Sequence, residues 1–125
     1  MGLDWPRFVV AEEHGWVIGV GQIKLHGDGT RELASLAIVP EWQSAGIGSV
    51  LVWTLMARAP GSLYLRCASH NEGYYQRFGF RTLSFAEMPP SHRRIYRVVN
   101  GMMRVVKLIA KSPDELLIMG RDLGR

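Results

Sequence analysis

The sequence predicts an α/β (α+β) fold, a mixed and largely antiparallel sheet with one parallel strand pair and flanking helices. Three observations carry that expectation. Alternating β-branched runs separated by tight-turn residues open the chain. A helical apolar repeat then begins at a glycine-rich bend, and a short apolar run follows that helix directly. At 125 residues, with 47% hydrophobic and 21% charged residues, the chain is long enough to bury a core as a single domain spanning 1–125.

In chain order, Arg7 to Glu13 and Trp16 to Leu25 read as a hairpin across His14-Gly15. Gly19 and Gly21 fall on one face of its second strand, where glycine marks a bulge or close packing under a neighbour. His26 to Thr30 makes a second turn, and Arg31 to Val39 completes an antiparallel meander. Ile47, Val50, Leu51, Thr54 and Leu55 keep helical spacing to about Arg58, where Pro60-Gly61 ends the element. Leu63 to Cys67 is then a buried strand, parallel to the third because a helix joins them. A helix over Glu72 to Phe78 stops at Gly79, and Phe80 to Phe85 is a strand. Beyond Pro89-Pro90, Ile95, Val98, Val99, Met102, Met103, Val106 and Ile109 give a basic amphipathic helix with a break expected around Asn100-Gly101, and Leu116 to Met119 is the last strand. That Met-rich segment would cover a substrate site, form a homodimer face or simply pack in the core.

The bend carries the chemistry. Gln43-Ser44-Ala45-Gly46-Ile47-Gly48 runs straight into a helix, whose first-turn N–H groups and macrodipole attract an anion, while absent Cβ atoms at Gly46 and Gly48 let a phosphate approach. A Walker loop would need Gly-Lys-Ser/Thr, but Gly48 is followed by Ser49-Val50. A Rossmann fingerprint would need a third Gly or Ala where Leu51 stands.

This bend resembles the pyrophosphate loop of the GNAT superfamily of N-acetyltransferases, with its pattern of Gln or Arg, two residues, Gly, one residue, Gly or Ala. Asn71-Glu72-Gly73-Tyr74-Tyr75-Gln76-Arg77-Phe78-Gly79-Phe80 resembles the same superfamily's later motif, an aromatic pair followed after a short gap by Gly-Phe. The resemblance covers about residues 7–85, leaving a C-terminal helical segment and last strand at about 89–125. A typical member opens with a strand and two helices before the hairpin. This sequence departs from that pattern, so its acceptor side is expected to be open, covered by the C-terminal segment, or completed by another subunit.

The resemblance implies that the parallel pair is splayed and that acetyl-CoA is the cosubstrate, without a metal. Its pyrophosphate would lie on the backbone of Gln43, Ser44, Ala45, Gly46, Ile47, Gly48 and Ser49, and its pantetheine would pair with Leu36, Ala37 and Ile38. An N–H there would stabilise the oxyanion, a role worth about 3 kcal/mol in other acyl-transfer enzymes. Tyr75 matches the tyrosine assigned as general acid to the departing thiolate, whereas Tyr74 packs. Asn71 would cap the following helix or touch coenzyme.

Glu32 is the candidate general base, six residues before Ile38, as in the histone-acetyltransferase branch. Regular alternation would put it on one face with Ala34, Leu36 and Ile38, where burial would tune it for proton transfer. A solvated strand end or an ion pair is the simpler use of such a glutamate, and other members employ ordered water. His70 is a further candidate base, and Cys67 reads as an inert apolar residue.

The expected reaction is direct attack of a small-molecule or peptide amine on acetyl-CoA in a ternary complex; the alternative is a coenzyme-binding module without turnover. Fifteen basic residues against eleven acidic ones give a net charge of +4, much of it in His92-Arg93-Arg94, Arg97, Arg104, Lys107 and Lys111. No interleaving of aromatic and basic residues points to nucleic acid. No membrane-length apolar run, signal peptide, paired cysteine or zinc spacing is evident, so a cytoplasmic location is expected.

Overall fold

The computed structural model describes residues 8–109 and 115–122, and the side chains of all of these except 106–109. Arg7 and Lys111 therefore lie outside the described residues. Among the described residues six strands form one sheet: β1 (Phe8–Glu13), β2 (Trp16–Leu25), β3 (Arg31–Ile38), β4 (Leu63–Ala68), β5 (Arg81–Thr82) and β6 (Leu116–Arg121), in the order β1-β2-β3-β4-β6-β5. Among these strands β3 and β4 pair in parallel, and the other four pairs are antiparallel. His14 and Gly15 both take positive φ, 49° and 83°, as a two-residue hairpin turn requires.

The helix α1 (Ile47–Arg58) crosses from β3 to β4, and its Leu51, Val52, Leu55 and Met56 are buried. They meet Leu33, Leu63, Leu65, Cys67 and Met119 from one face of the sheet. Close approach explains the strand glycines. A Cβ on Gly19 would stand 2.7 Å from Ile38 Cδ1, and one on Gly21 would stand 2.8 Å from Leu55 Cδ1. The short helix α2 (Glu72–Gln76) lies on this face as well, with Phe78 against Trp53 at a ring separation of 5.2 Å.

A bulge in β3 changes the expected alternation. Gln22 pairs with Ala34 and Val20 with Ala37, so Gly21 opposes both Ser35 and Leu36, and Ser35 takes φ of 57°. Leu36 consequently packs on the α1 side, near the space above Gly21, and Ile38 follows it to the space above Gly19. Glu32 therefore does not share a face with Leu36 and Ile38. It remains with Ala34 on the opposite face, because the extra residue reverses the side on which all later side chains emerge.

Two further expectations change. The strand expected over Phe80 to Phe85 is limited to Arg81–Thr82, because Ser84 and Glu87 form a capping box that turns the chain into a 3-10 turn over Phe85–Glu87. Its bonds run from Ser84 N–H and Oγ to Glu87 Oε1, at 2.9 and 3.2 Å. The helix α3 (Pro90–Ile109) continues through Asn100-Gly101. Asn100 instead uses its amide to clamp the start of β6, donating to Leu116 O at 3.1 Å and accepting from Leu116 N–H at 3.0 Å. Along α3, Val98 and Met102 are exposed, as is Val105 outside the stripe, so this part of the Met-rich stripe is not core. Among the described residues no helix is long and apolar enough to cross a membrane.

The helix α3 packs on the sheet face opposite α1. Tyr96 joins Ile118, Tyr64, Leu83 and Met88 in a second apolar cluster. The first turn of α3 is tied to the turn after β2 by Asp28, which accepts from Ser91 N–H at 3.0 Å and from the Thr30 hydroxyl at 2.6 Å. Beside it His92, fully buried, stacks on Tyr64 and accepts at Nδ1 from Arg66 Nε at 3.1 Å. Glu32, also buried, accepts at Oε1 from His26 Nε2 at 2.6 Å and lies 3.8 Å from Arg66 Nε.

Two stability measurements follow from this packing. Leu55 is fully buried at the centre of the α1 face, so Leu55→Ala should cost about 2–5 kcal/mol in urea unfolding with an unchanged m-value. Burial, reinforced by the Arg66 charge, lowers the His92 pKa from 6.5 to about 4. The unfolded chain thus binds a proton that the folded chain refuses between those values. Stability should be full above about pH 6.5 and fall by about 3 kcal/mol as pH drops toward 4. In His92→Phe that slope should flatten, whereas the Asp28 carboxylate, held low chiefly by the Thr30 hydroxyl, contributes only at more acidic pH.

Candidate active site

Parallel pairing between β3 and β4 comprises Glu32 with Tyr64 and Leu33 with Leu65, and then stops. Beyond that point the two strands part. A cleft of about 740 Å³ is lined by Leu36, Ala37 and Ile38 at the end of β3, by the loop into α1, and by Asn71, Tyr74, Tyr75 and Arg77. The splay expected of the parallel pair is thus present.

The loop owes its shape to local backbone preferences. Pro40–Trp42 forms a 3-10 turn, Ser44 and Gly46 take φ of 68° and 84°, and Gly46 is the residue immediately before α1. A Cβ added at Gly46 would meet nothing within 4 Å, so glycine is required there by conformation rather than by space. At Gly48 the reason differs, since a Cβ would lie 3.0 Å from the Tyr74 hydroxyl. No side chain caps α1 and its first turn holds no acidic residue. The N–H groups of that turn therefore have neither an intrahelical acceptor nor a side-chain cap, which suits them to a phosphate.

Most of the residues expected to hold coenzyme meet in this cleft: Leu36, Ala37, Ile38, Gln43, Ser44, Gly46, Gly48, Ser49 and Asn71 all line it. Ala45 and Ile47 do not, and the Ile47 side chain turns inward toward Gly19. Gln43 uses its amide to hold the loop to β3, donating to Ile38 O at 3.1 Å. Asn71 stands immediately before α2 but makes no side-chain cap, which removes the capping alternative.

Tyr75 lines the cleft beside Tyr74, their rings 5.1 Å apart and nearly perpendicular. Burial, with lesser effects of Cys67 and Tyr74, pushes the Tyr75 pKa up to about 12, so its hydroxyl is protonated at neutral pH. Tyr74 packs, as expected, but it also faces the cleft and its hydroxyl lies 3.2 Å from Ser49 Oγ. Cys67 is buried, with its thiol pushed up to about 11 mainly by desolvation and its Sγ 3.7 Å from Met119 Sδ, as an inert apolar residue should be.

Glu32 and His70 are not among the residues lining the cleft. His70 is exposed in the turn after β4, and Glu32 sits at the base of the gap on the α3 side, bonded to His26. Three features escaped sequence reading. Trp42 and Arg77 line the cleft, the latter with its guanidinium 4.9 Å above the Tyr74 ring. Arg77 carried a signal, since it lies two positions after Tyr75 in the aromatic motif. The association of His26, Glu32, Arg66 and His92 carried none, because its members come from four elements that only folding brings together.

Comparison with solved structures shows the same architecture. N-acetylglutamate synthase from Neisseria gonorrhoeae, complexed with coenzyme A and N-acetyl-glutamate, superposes with a TM-score of 0.70 at 22% identity, over 95% of this chain and 26% of that one. The present chain thus spans about a quarter of that protein's length. Rv2747 from Mycobacterium tuberculosis, in complex with CoA, gives 0.64 at 18% identity over 94% and 76% of the two chains. A GNAT family acetyltransferase from Elizabethkingia anophelis with acetyl-CoA bound gives 0.62 at 18% identity over 93% and 75%. Residues 2–80 match the family described as Acetyltransferase (GNAT). With that match over more than half its length, and with the splayed strand pair and glycine bend in place, the chain belongs to the GNAT family of acetyltransferases.

Proposed function

We propose that this protein transfers the acetyl group of acetyl-CoA to a primary amine by direct attack within a ternary complex. The observation that carries the reading is the cleft where β3 and β4 part, which has a free helix N-terminus at one end and Tyr75 in its wall. Coenzyme fits the groups present: backbone N–H groups from Ser44 to Ser49 would take the pyrophosphate. The edge of β3 at Leu36, Ala37 and Ile38, beyond its last pairing with β4, would take the amide-rich pantetheine arm. An N–H of that edge would also bond the developing oxyanion.

In the transfer step the amine lone pair forms the C–N bond, the tetrahedral intermediate expels coenzyme A thiolate as the C–S bond breaks, Tyr75 protonates the thiolate, and solvent restores the Tyr75 proton. The proton lost from the amine nitrogen goes to a base, which we assign to Glu32 because it lies on β3 at the base of the gap. A coenzyme-binding module without turnover would instead bind coenzyme and release no thiol with any amine.

Thiol release from acetyl-CoA, followed over a panel of amines, tests the reading. Tyr75→Phe should lower kcat by about 100- to 1,000-fold while calorimetry shows coenzyme still bound; an unchanged kcat would remove Tyr75 from the chemistry. Glu32→Gln should lower kcat/KM most at neutral pH and progressively less as rising pH deprotonates the amine. A loss independent of pH would instead mark Glu32 as structural support for His26 and Arg66.

A further inference from the structure

We propose that the acceptor carries a carboxylate next to its amino group, as a free amino acid does, and that Arg66 binds that carboxylate. The inference rests on the acetyltransfer reading above and names the substrate class for the same site.

Arg66 occupies the first β4 position past the last residue paired with β3, since Leu65 opposite Leu33 ends the ladder. Alternation along β4 turns Leu63, Leu65 and Cys67 into the α1 core and places Tyr64, Arg66 and Ala68 on the other face. Arg66 thus stands at the mouth of the gap, on the side away from α1 and α2. Its side chain is 24% exposed, and its Nε is held from behind by His92 Nδ1 at 3.1 Å, with Glu32 Oε1 3.8 Å away. Among the described residues, neither terminal guanidine nitrogen has a hydrogen-bond acceptor. The guanidinium is therefore positioned by buried groups while its outer edge keeps donors suited to two parallel bonds with a carboxylate.

The surroundings favour a small zwitterion. Ala34 and Ala37 on β3 and Ala68 on β4 present only methyl groups on this face, so no large side chain of theirs competes for the gap. The adjacent charges of Arg66 and Glu32 match a molecule with a carboxylate and an amine a few atoms apart. A phosphate dianion would meet one guanidinium with a carboxylate close behind it, a poorer match.

The test compares free amino acids, the corresponding amino-acid amides and simple alkylamines as acceptors in the thiol-release assay. At least one amino acid should be acetylated with a kcat/KM about 10- to 100-fold above its own amide. Arg66→Gln should erase that preference by raising the KM for the amino acid while leaving the KM for acetyl-CoA unchanged. Amides or alkylamines acetylated as well as amino acids would overturn the carboxylate inference and leave acetyltransfer standing. Retention of the preference in Arg66→Gln would overturn the assignment to this residue. Coenzyme binding without thiol release for any amine would overturn the acetyltransfer reading itself. Should Arg66→Gln fail to fold, the comparison of amino acids with their amides on the unaltered protein still decides the substrate class.

Discussion

Parallel pairing between β3 and β4 lasts for two residue pairs and then gives way to a gap, and the site depends on that interruption. A ladder continued to Ile38 would close the sheet and consume the backbone groups that now border the cleft. The bulge at Ser35 acts at the same point. By reversing alternation, it sends Leu36 and Ile38 into the α1 side and leaves Glu32 and Ala34 on the α3 side. One inserted residue thereby gives the two sheet faces different chemistry. The first anchors the helix whose N-terminus meets the cleft, and the second carries the charged groups.

The side away from α1 is organised by buried polarity rather than by apolar area alone. Glu32 and His92 are the buried polar side chains among the described residues, and Arg66 connects them. Removing any one member leaves another buried group without its partner, which is more costly than the net worth of the bond. His92 must be neutral to accept from Arg66 at Nδ1, and burial keeps it so. The arrangement docks α3, fixes the direction of Arg66 and holds Glu32 through His26. Stability and the proposed substrate recognition thus draw on the same four side chains.

Particular residues show where the sequence was legible. Both hairpin strands, the boundaries of α1, the parallel β4 and the aromatic motif around Tyr75 follow from local patterns, since alternation, helical spacing and turn residues are each encoded within a few positions. The close-packed Gly19 and Gly21 were readable for the same reason. Phe80 to Phe85 misled because its apolar composition outweighed the Ser84–Glu87 capping box, a signal present in the sequence but smaller than a strand pattern. Asn100-Gly101 misled because a helix-weakening pair was in fact compensated by bonds to Leu116, sixteen residues away.

By itself, then, the sequence determined the strand and helix order, the glycine bend that opens α1 and the tyrosine that faces the cleft, all of them consequences of short-range backbone preference and spacing. Only the tertiary structure decided which face Glu32 occupies, that Asn71 lines the cleft without capping α2, and that His26, Arg66 and His92 gather around that glutamate. A bulge is invisible to residue alternation because it arises from the register of β3 against β2. A polar cluster assembled from four elements has no linear spacing from which it could be read.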